Sequence, residues 1–181
     1  MIPGKIVKTF TSKKGNKVVI RYPKWEDLDD LHGFINILSK EDTFIMFSGE
    51  EISREEETKW LGETLTKMET GEKVHLIATV NGSFAGNCEI RRHKRRETHV
   101  GTIGISVALK FRNEGVGSEL LKALIEEGKR LGVKLLILHC FENNDRALHL
   151  YEKLGFVRAG LIPGVYLYKG SYVGEVTLYL P

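Results

Sequence analysis

The chain reads as an α+β protein: a mixed, mostly antiparallel central sheet flanked by helices. Three observations carry that reading. Segments with a two-residue apolar period and segments with a helical period follow one another in the order ββαα, βββ, αβαββ. Val133 to Cys140 is an apolar run short enough for a strand buried on both faces. The strand, helix and strand from Val100 to Cys140 form one unit whose crossover should be right-handed and parallel. No repeat or low-complexity linker interrupts the 181 residues, so one domain, 1–181, is expected.

Taken in order, Ile6 to Phe10 and Val18 to Tyr22 alternate as two strands around the turn Lys14-Gly15-Asn16. After Pro23 the period changes. Leu28, Leu31, Phe34, Ile35 and Leu38 share one helical stripe, with Glu26 and Asp27 near its positive end. Ser53-Arg54-Glu55-Glu56 is a capping box opening a helix with Trp60, Leu61, Leu65 and Met68 on its apolar side. Val74 to Val80, Asn81-Gly82 and Phe84 to Ile90 make a hairpin, followed by a charged loop, Arg91 to Glu97. Val100 to Val107 is a further strand. Gly115 to Leu131 is the longest amphipathic helix, closed by Gly132. Asn144 can cap a short helix ending at Gly155, and Phe156 to Tyr168 with Gly174 to Leu180 form a closing hairpin.

Composition excludes several classes. A hydrophobic share of 41% and a charged share of 28% are globular values, and no run approaches the ~20 apolar residues of a membrane span. Met1 to Phe10 lacks a continuous apolar stretch, so no signal peptide is expected. Cys88 and Cys140 are too few for a disulfide framework, and the six histidines are scattered without zinc-ligand spacing. A reducing cytoplasm and no metal are the expectations.

Ile103 to Ser118 is the most informative stretch. A strand runs into a short loop with Arg112, Gly115 and Gly117, then into the longest helix. Unpaired N–H groups and positive potential at a helix start favour an anion. Glycines let a phosphate approach the backbone, and Arg112 adds a charge-assisted contact. The loop is not a magnesium–nucleotide P-loop, because no lysine follows its second glycine. It is not a dinucleotide fingerprint either, because Leu120 stands where a glycine is required. Arg112-x-x-Gly115-x-Gly117 remains, readable as a pyrophosphate cradle or as a plain helix-starting turn.

A second pattern follows the buried strand: Asn144-x-x-Ala147-x-x-x-Tyr151-x-x-x-Gly155-Phe156. The two patterns together, over about Val100 to Phe156, resemble the GNAT superfamily of N-acetyltransferases. The tail with Gly170 and Glu175 is similar to a branch labelled ribosomal-protein or small-amine acetyltransferases. The resemblance implies the acyl-CoA N-acyltransferase fold, with two parallel strands, Ile103 to Val107 and Leu135 to Cys140, splayed apart. Acetyl-CoA is the implied acyl donor. Its pantetheine arm would pair with backbone at Ile105, Ser106 and Val107. Its pyrophosphate would meet Arg112, Asn113, Glu114, Gly115, Val116, Gly117 and Ser118. Asn144 would fix cofactor or water, and Tyr151 is the implied general acid. A tyrosine suits that role because its proton is still present at pH 7.

The acceptor must be a free amine, so something takes its proton. Glu89, in the strand before the splayed one, is the candidate, with a solvated carboxylate as the alternative role. His99 is a weaker second. Many relatives carry a carboxylate where this chain has Thr102, and Arg-Gly where it has Arg112-Asn113. An acyl-enzyme through Cys140 lacks an activating neighbour, since His139 points to the opposite strand face. Arg91 to Arg96 is basic without interleaved aromatics; a solvated loop, the adenosine 3′-phosphate, an acidic partner or RNA are its readings. Glu41, Asp42, Glu50 and Glu51 are surface charges or attractors for a cationic amine. The expected activity is transfer of acetyl to a primary amine: a protein N-terminus, a polyamine or another small amine. The alternative is a non-catalytic acyl-CoA-binding or nucleic-acid-binding module. No membrane partner is expected, and a homodimer is compatible with the fold.

Overall fold

The computed structural model describes residues 1–41 and 43–181; Asp42, weighed above as an attractor for the acceptor, lies outside the described residues. Eight strands form one sheet in the order β1-β2-β3-β4-β5-β6-β8-β7. They are β1 (Ile6–Thr11), β2 (Lys17–Arg21), β3 (Lys73–Val80), β4 (Ser83–Arg92), β5 (Val100–Val107), β6 (Leu135–Phe141), β7 (Val157–Tyr168) and β8 (Ser171–Leu180). Four α-helices accompany them: α1 (Leu28–Lys40), α2 (Arg54–Glu69), α3 (Val116–Arg130) and α4 (Asp145–Lys153). The element order expected from periodicity is the order found.

Each helix forms where its local chemistry directs. The α2 capping box is closed in both directions: Glu56 N–H donates to Ser53 Oγ at 3.2 Å, and Ser53 N–H donates to Glu56 Oε2 at 2.8 Å. At α4, Ala147 N–H donates to Asn144 Oδ1 at 3.2 Å. The stripe Leu120, Leu121 and Leu124 of α3 is wholly buried. Gly101 on β5 and Gly128 on α3 let this helix press onto the sheet. A Cβ at either would stand 2.5 Å from the Ile90 side chain. Strand alternation then sorts the sheet's two faces. Leu76, Cys88, Ile90 and Ile103 look toward α3; Lys73, His75, Asn87, Glu89, Gly104 and Ser106 look the other way, toward α1 and α2.

Among the described residues, β5 and β6 are the only neighbouring strands that run parallel. They pair at Val100–Leu135, Gly101–Leu136 and Thr102–Ile137, and no further. Beyond that point β5 runs on to Val107 and β6 to Phe141 with the facing edges unpaired. This is the expected splay.

Some boundaries differ from the periodicity. β4 continues to Arg92, absorbing part of the expected charged loop, because Arg92 N–H donates to Glu72 O at 2.9 Å. β6 starts two residues late, since Val133 N–H closes α3 by donating to Gly128 O at 3.0 Å. β7 is an exposed edge strand despite its apolar composition, with register shifts at Arg158/Gly160 and Ile162/Tyr166. No described helix is long and apolar enough to cross a membrane.

Candidate active site

The splay leaves one edge of Ile103–Val107 without a strand partner. In the middle of a sheet these backbone groups need some other partner. The loop after β5 turns on two left-handed residues, Asn113 (φ 68°) and Gly115 (φ 90°), and delivers the chain into α3. Gly115 tolerates that conformation freely; Asn113 is among the few other residue types that do. Arg112 lies at the mouth, where its Nε donates to Val107 O at 2.8 Å and its Nη2 pairs with Glu41 Oε2 at 2.8 Å. A Cβ at Gly117 would meet Val107 Cγ2 at 3.6 Å and Leu150 Cδ2 at 3.8 Å, which is ordinary contact. A large side chain there would have to enter the groove between β5, α3 and α4.

Besides Arg112, two more of the expected cofactor-binding residues, Glu114 and Asn144, do other work with their side chains. Glu114 is buried and points back to the β1–β2 turn, accepting from Ser12 Oγ (3.0 Å), Lys14 Nζ (3.0 Å) and Asn16 Nδ2 (3.1 Å). The Lys14 bond holds its carboxyl below the usual range, so it anchors the loop and leaves only its backbone for a phosphate. Asn144 Oδ1 is committed to the α4 cap, leaving its amide NH₂ free.

Tyr151 lies beside the gap, 8% exposed, with its ring edge-on to Phe156 at 6.0 Å. Burial pushes its phenol pKa up, and neighbouring Cys140 adds to that. Burial also pushes the Cys140 thiol up to about 12, so it is protonated at neutral pH and a poor nucleophile. That argues against an acyl-enzyme.

On the opposite face of the sheet, α1, α2, β3, β4 and β5 enclose a cleft of about 480 Å³ that reaches Gly104 and Ser106. Glu89 lines it. Gly104, its register partner, has no side chain to cover it. Glu89 is tightly held, by Lys73 Nζ at 2.6 Å and Arg91 Nε at 3.2 Å, with His75 Nδ1 at 3.5 Å. Burial alone would raise its pKa; His75 and Lys73 outweigh that and hold it at about 2. His99 precedes β5 at the end of the sheet remote from this cleft.

Sequence reasoning missed a third group. Thr102 pairs with Ile137, so Gly104 and His139, two residues further along each strand, face the same side at the same level across the gap. His139 Nδ1 lies 3.1 Å from Glu175 Oε1 and 3.3 Å from Thr177 Oγ1, and the Tyr166 hydroxyl donates to Glu175 Oε2. The available signal was the alternation Ile137-x-His139-x-Phe141, which carries His139 away from Cys140 and into the acceptor side.

The basic cluster precedes β5, whereas the Arg112 loop follows it. The strand between them is roughly 25 Å long at about 3.3 Å per residue. Contact with an adenosine 3′-phosphate held near that loop is therefore not available to it. Part of its charge is matched internally: Lys94 pairs with Glu72 at 2.8 Å and His93 with Glu97 at 2.7 Å.

A splayed parallel pair, a glycine-bearing helix start at its mouth and a tyrosine beside the gap define an acyl-CoA-binding transferase architecture. The acetyltransferase (GNAT) family pattern matches residues 25–156, and the chain belongs to that family. It is 34% identical over 100 residues to the L-amino acid N-acetyltransferase AaaT of Escherichia coli (strain K12), covering 54% of this chain and 62% of that protein. A GNAT-family acetyltransferase from Streptococcus pneumoniae superposes with a TM-score of 0.81 at 29% identity, over 90% of this chain and 98% of that one. The yncA protein of Salmonella typhimurium, solved with its cofactor acetyl-CoA, has the same fold: TM-score 0.79, 18% identity, 90% and 92% covered. The matched stretches span 41% to 62% of these curated relatives' lengths.

Proposed function

We propose that the protein transfers acetyl from acetyl-CoA directly to a primary amine in a ternary complex. The observation that carries this is the unpaired stretch Ile103–Val107 opening onto both the α3 start and the acceptor cleft. Backbone at Ile105, Ser106 and Val107 would hold the pantetheine arm, and the loop from Arg112 to Ser118, through its amides, the pyrophosphate. The thioester carbonyl then lies in the gap, where a free strand N–H can stabilise the developing oxyanion. Tyr151 supplies the proton to the departing thiolate. The two unbridged cysteines fit a reducing, cytoplasmic setting.

Glu89 is a poor proton acceptor at a pKa of about 2. Its place beside Gly104 suits it to attract the acceptor's ammonium instead. His139 is better matched to take the proton: Glu175 occupies Nδ1, which leaves Nε2 for the amine or an intervening water. His139→Gln is expected to lower kcat about 100-fold, with CoA affinity unchanged. Full activity would remove His139 from the mechanism.

The cofactor site has its own test. Gly117→Ala should fold normally, whereas Gly117→Trp should weaken CoA binding more than about tenfold by occupying the groove. Calorimetric titration of CoA reads both. Equal affinity in the tryptophan variant would place the cofactor elsewhere. The non-catalytic reading predicts CoA binding with no thiol release on any amine.

A further inference from the structure

The acceptor cleft has a charge pattern that the transfer reaction alone does not require. Five glutamates line it, Glu50, Glu51, Glu56, Glu57 and Glu89, and no lysine or arginine does among the described residues. The nearby cations Lys73 and Arg91 both pair with Glu89, so the other four carboxylates are not neutralised by them.

Among the described residues, one buried side chain on the cleft wall, His75, lacks partners that a ligand could supply, and a second, Glu57, is a buried carboxyl. His75 is 2% exposed, and neither ring nitrogen makes a hydrogen bond; its nearest charged neighbour is Glu89, at 3.5 Å from Nδ1. Burial pushes its imidazole pKa down, so the ring is neutral and has a lone pair to offer. Glu57 is 7% exposed, and burial pushes its carboxyl pKa up, with His32 opposing. An approaching cation would favour its ionised form. Glu89 stands between His75 and Gly104 in the strand register, and Leu31, Phe34 and Trp60 give the cleft apolar wall.

Resting on the acetyl-transfer reading above, we propose that the acceptor is a dication, a small diamine or polyamine. One amine reaches the thioester at Gly104. A second ammonium, across a methylene spacer, seats against Glu57, Glu51 and His75. An α-amino acid is disfavoured at this site, because its carboxylate would face carboxylates.

Three ligands of matched length decide this: 1,4-diaminobutane, butylamine and 4-aminobutanoate. Each is titrated calorimetrically into the protein, with and without CoA. The diamine is expected to bind at least tenfold tighter than butylamine, with 4-aminobutanoate weakest. Raising salt should weaken the diamine more steeply than the monoamine. Glu57→Gln with Glu51→Gln should erase the diamine's advantage and leave CoA affinity intact. If that variant misfolds, the salt series on the unaltered protein still decides. Butylamine equal to the diamine, or 4-aminobutanoate tighter than either, overturns the proposal. Failure to bind CoA would instead overturn the acetyl-transfer reading, while the ranking measured without CoA still reports the cleft's charge preference.

Discussion

Tyr151→Phe is expected to lower kcat by about 10²- to 10⁴-fold, the range for loss of a positioned general acid. CoA affinity should stay within about twofold. The substitution removes one buried oxygen and keeps the ring that packs against Phe156, so the fold should tolerate it. Because burial raises the phenol's pKa, the proton is held throughout the neutral range. The unaltered enzyme should accordingly show no basic limb from this group below about pH 10, the ordinary tyrosine value. Steady-state rates from pH 6 to 10, with calorimetry for CoA, measure both effects. A variant as fast as the parent across that range would mean that the thiolate leaves unassisted or takes its proton from water.

Glu89→Gln is expected to destabilise the protein by about 3–5 kcal/mol, because Lys73 is 5% exposed and would keep its charge without its partner. At this chain length that corresponds to a fall in Tm of roughly 6–20 °C. The double variant Glu89→Gln, Lys73→Met should recover most of the loss, since neither charge is then stranded. The pH dependence has a definite sign. The Glu89 carboxyl is held at about 2 in the fold, against an ordinary value of 4.5. Its contribution is therefore present above pH 4.5 and is lost as pH falls from there toward 2. Thermal melts from pH 2.5 to 7 should show this acid limb in the parent and a weaker one in the double variant. Equal melts for parent and single variant would mean that water reaches Lys73.

The turn into α3 and the position of Tyr151 were readable as spacing because both sit on continuous local elements. Arg112, Gly115 and Gly117 belong to one strand-to-helix turn, and Tyr151 follows its cap Asn144 on one short helix. Glu89's position was readable from alternation along β4. Its low proton affinity was not, because Lys73 and His75 reach it from β3 through hairpin register. The same limit hid His139: alternation gives its face, but Glu175 and Tyr166 come from strands 36 and 27 residues further along the chain. That the Glu114 side chain turns away from the loop was not legible either, because only packing reveals that Ser12, Lys14 and Asn16 stand behind it.

The sequence by itself determined the order of strands and helices, the glycine-bearing turn into the longest helix and the family. Periodicity, caps and glycine placement act over a few residues and survive as linear pattern. The tertiary structure alone decided which strand edges stay unpaired, which carboxylates meet cations, and which partners His139 meets across the strands. Those properties depend on distances between strands that register and packing set, and on the burial that turns an ordinary side chain into a strong or a feeble proton acceptor.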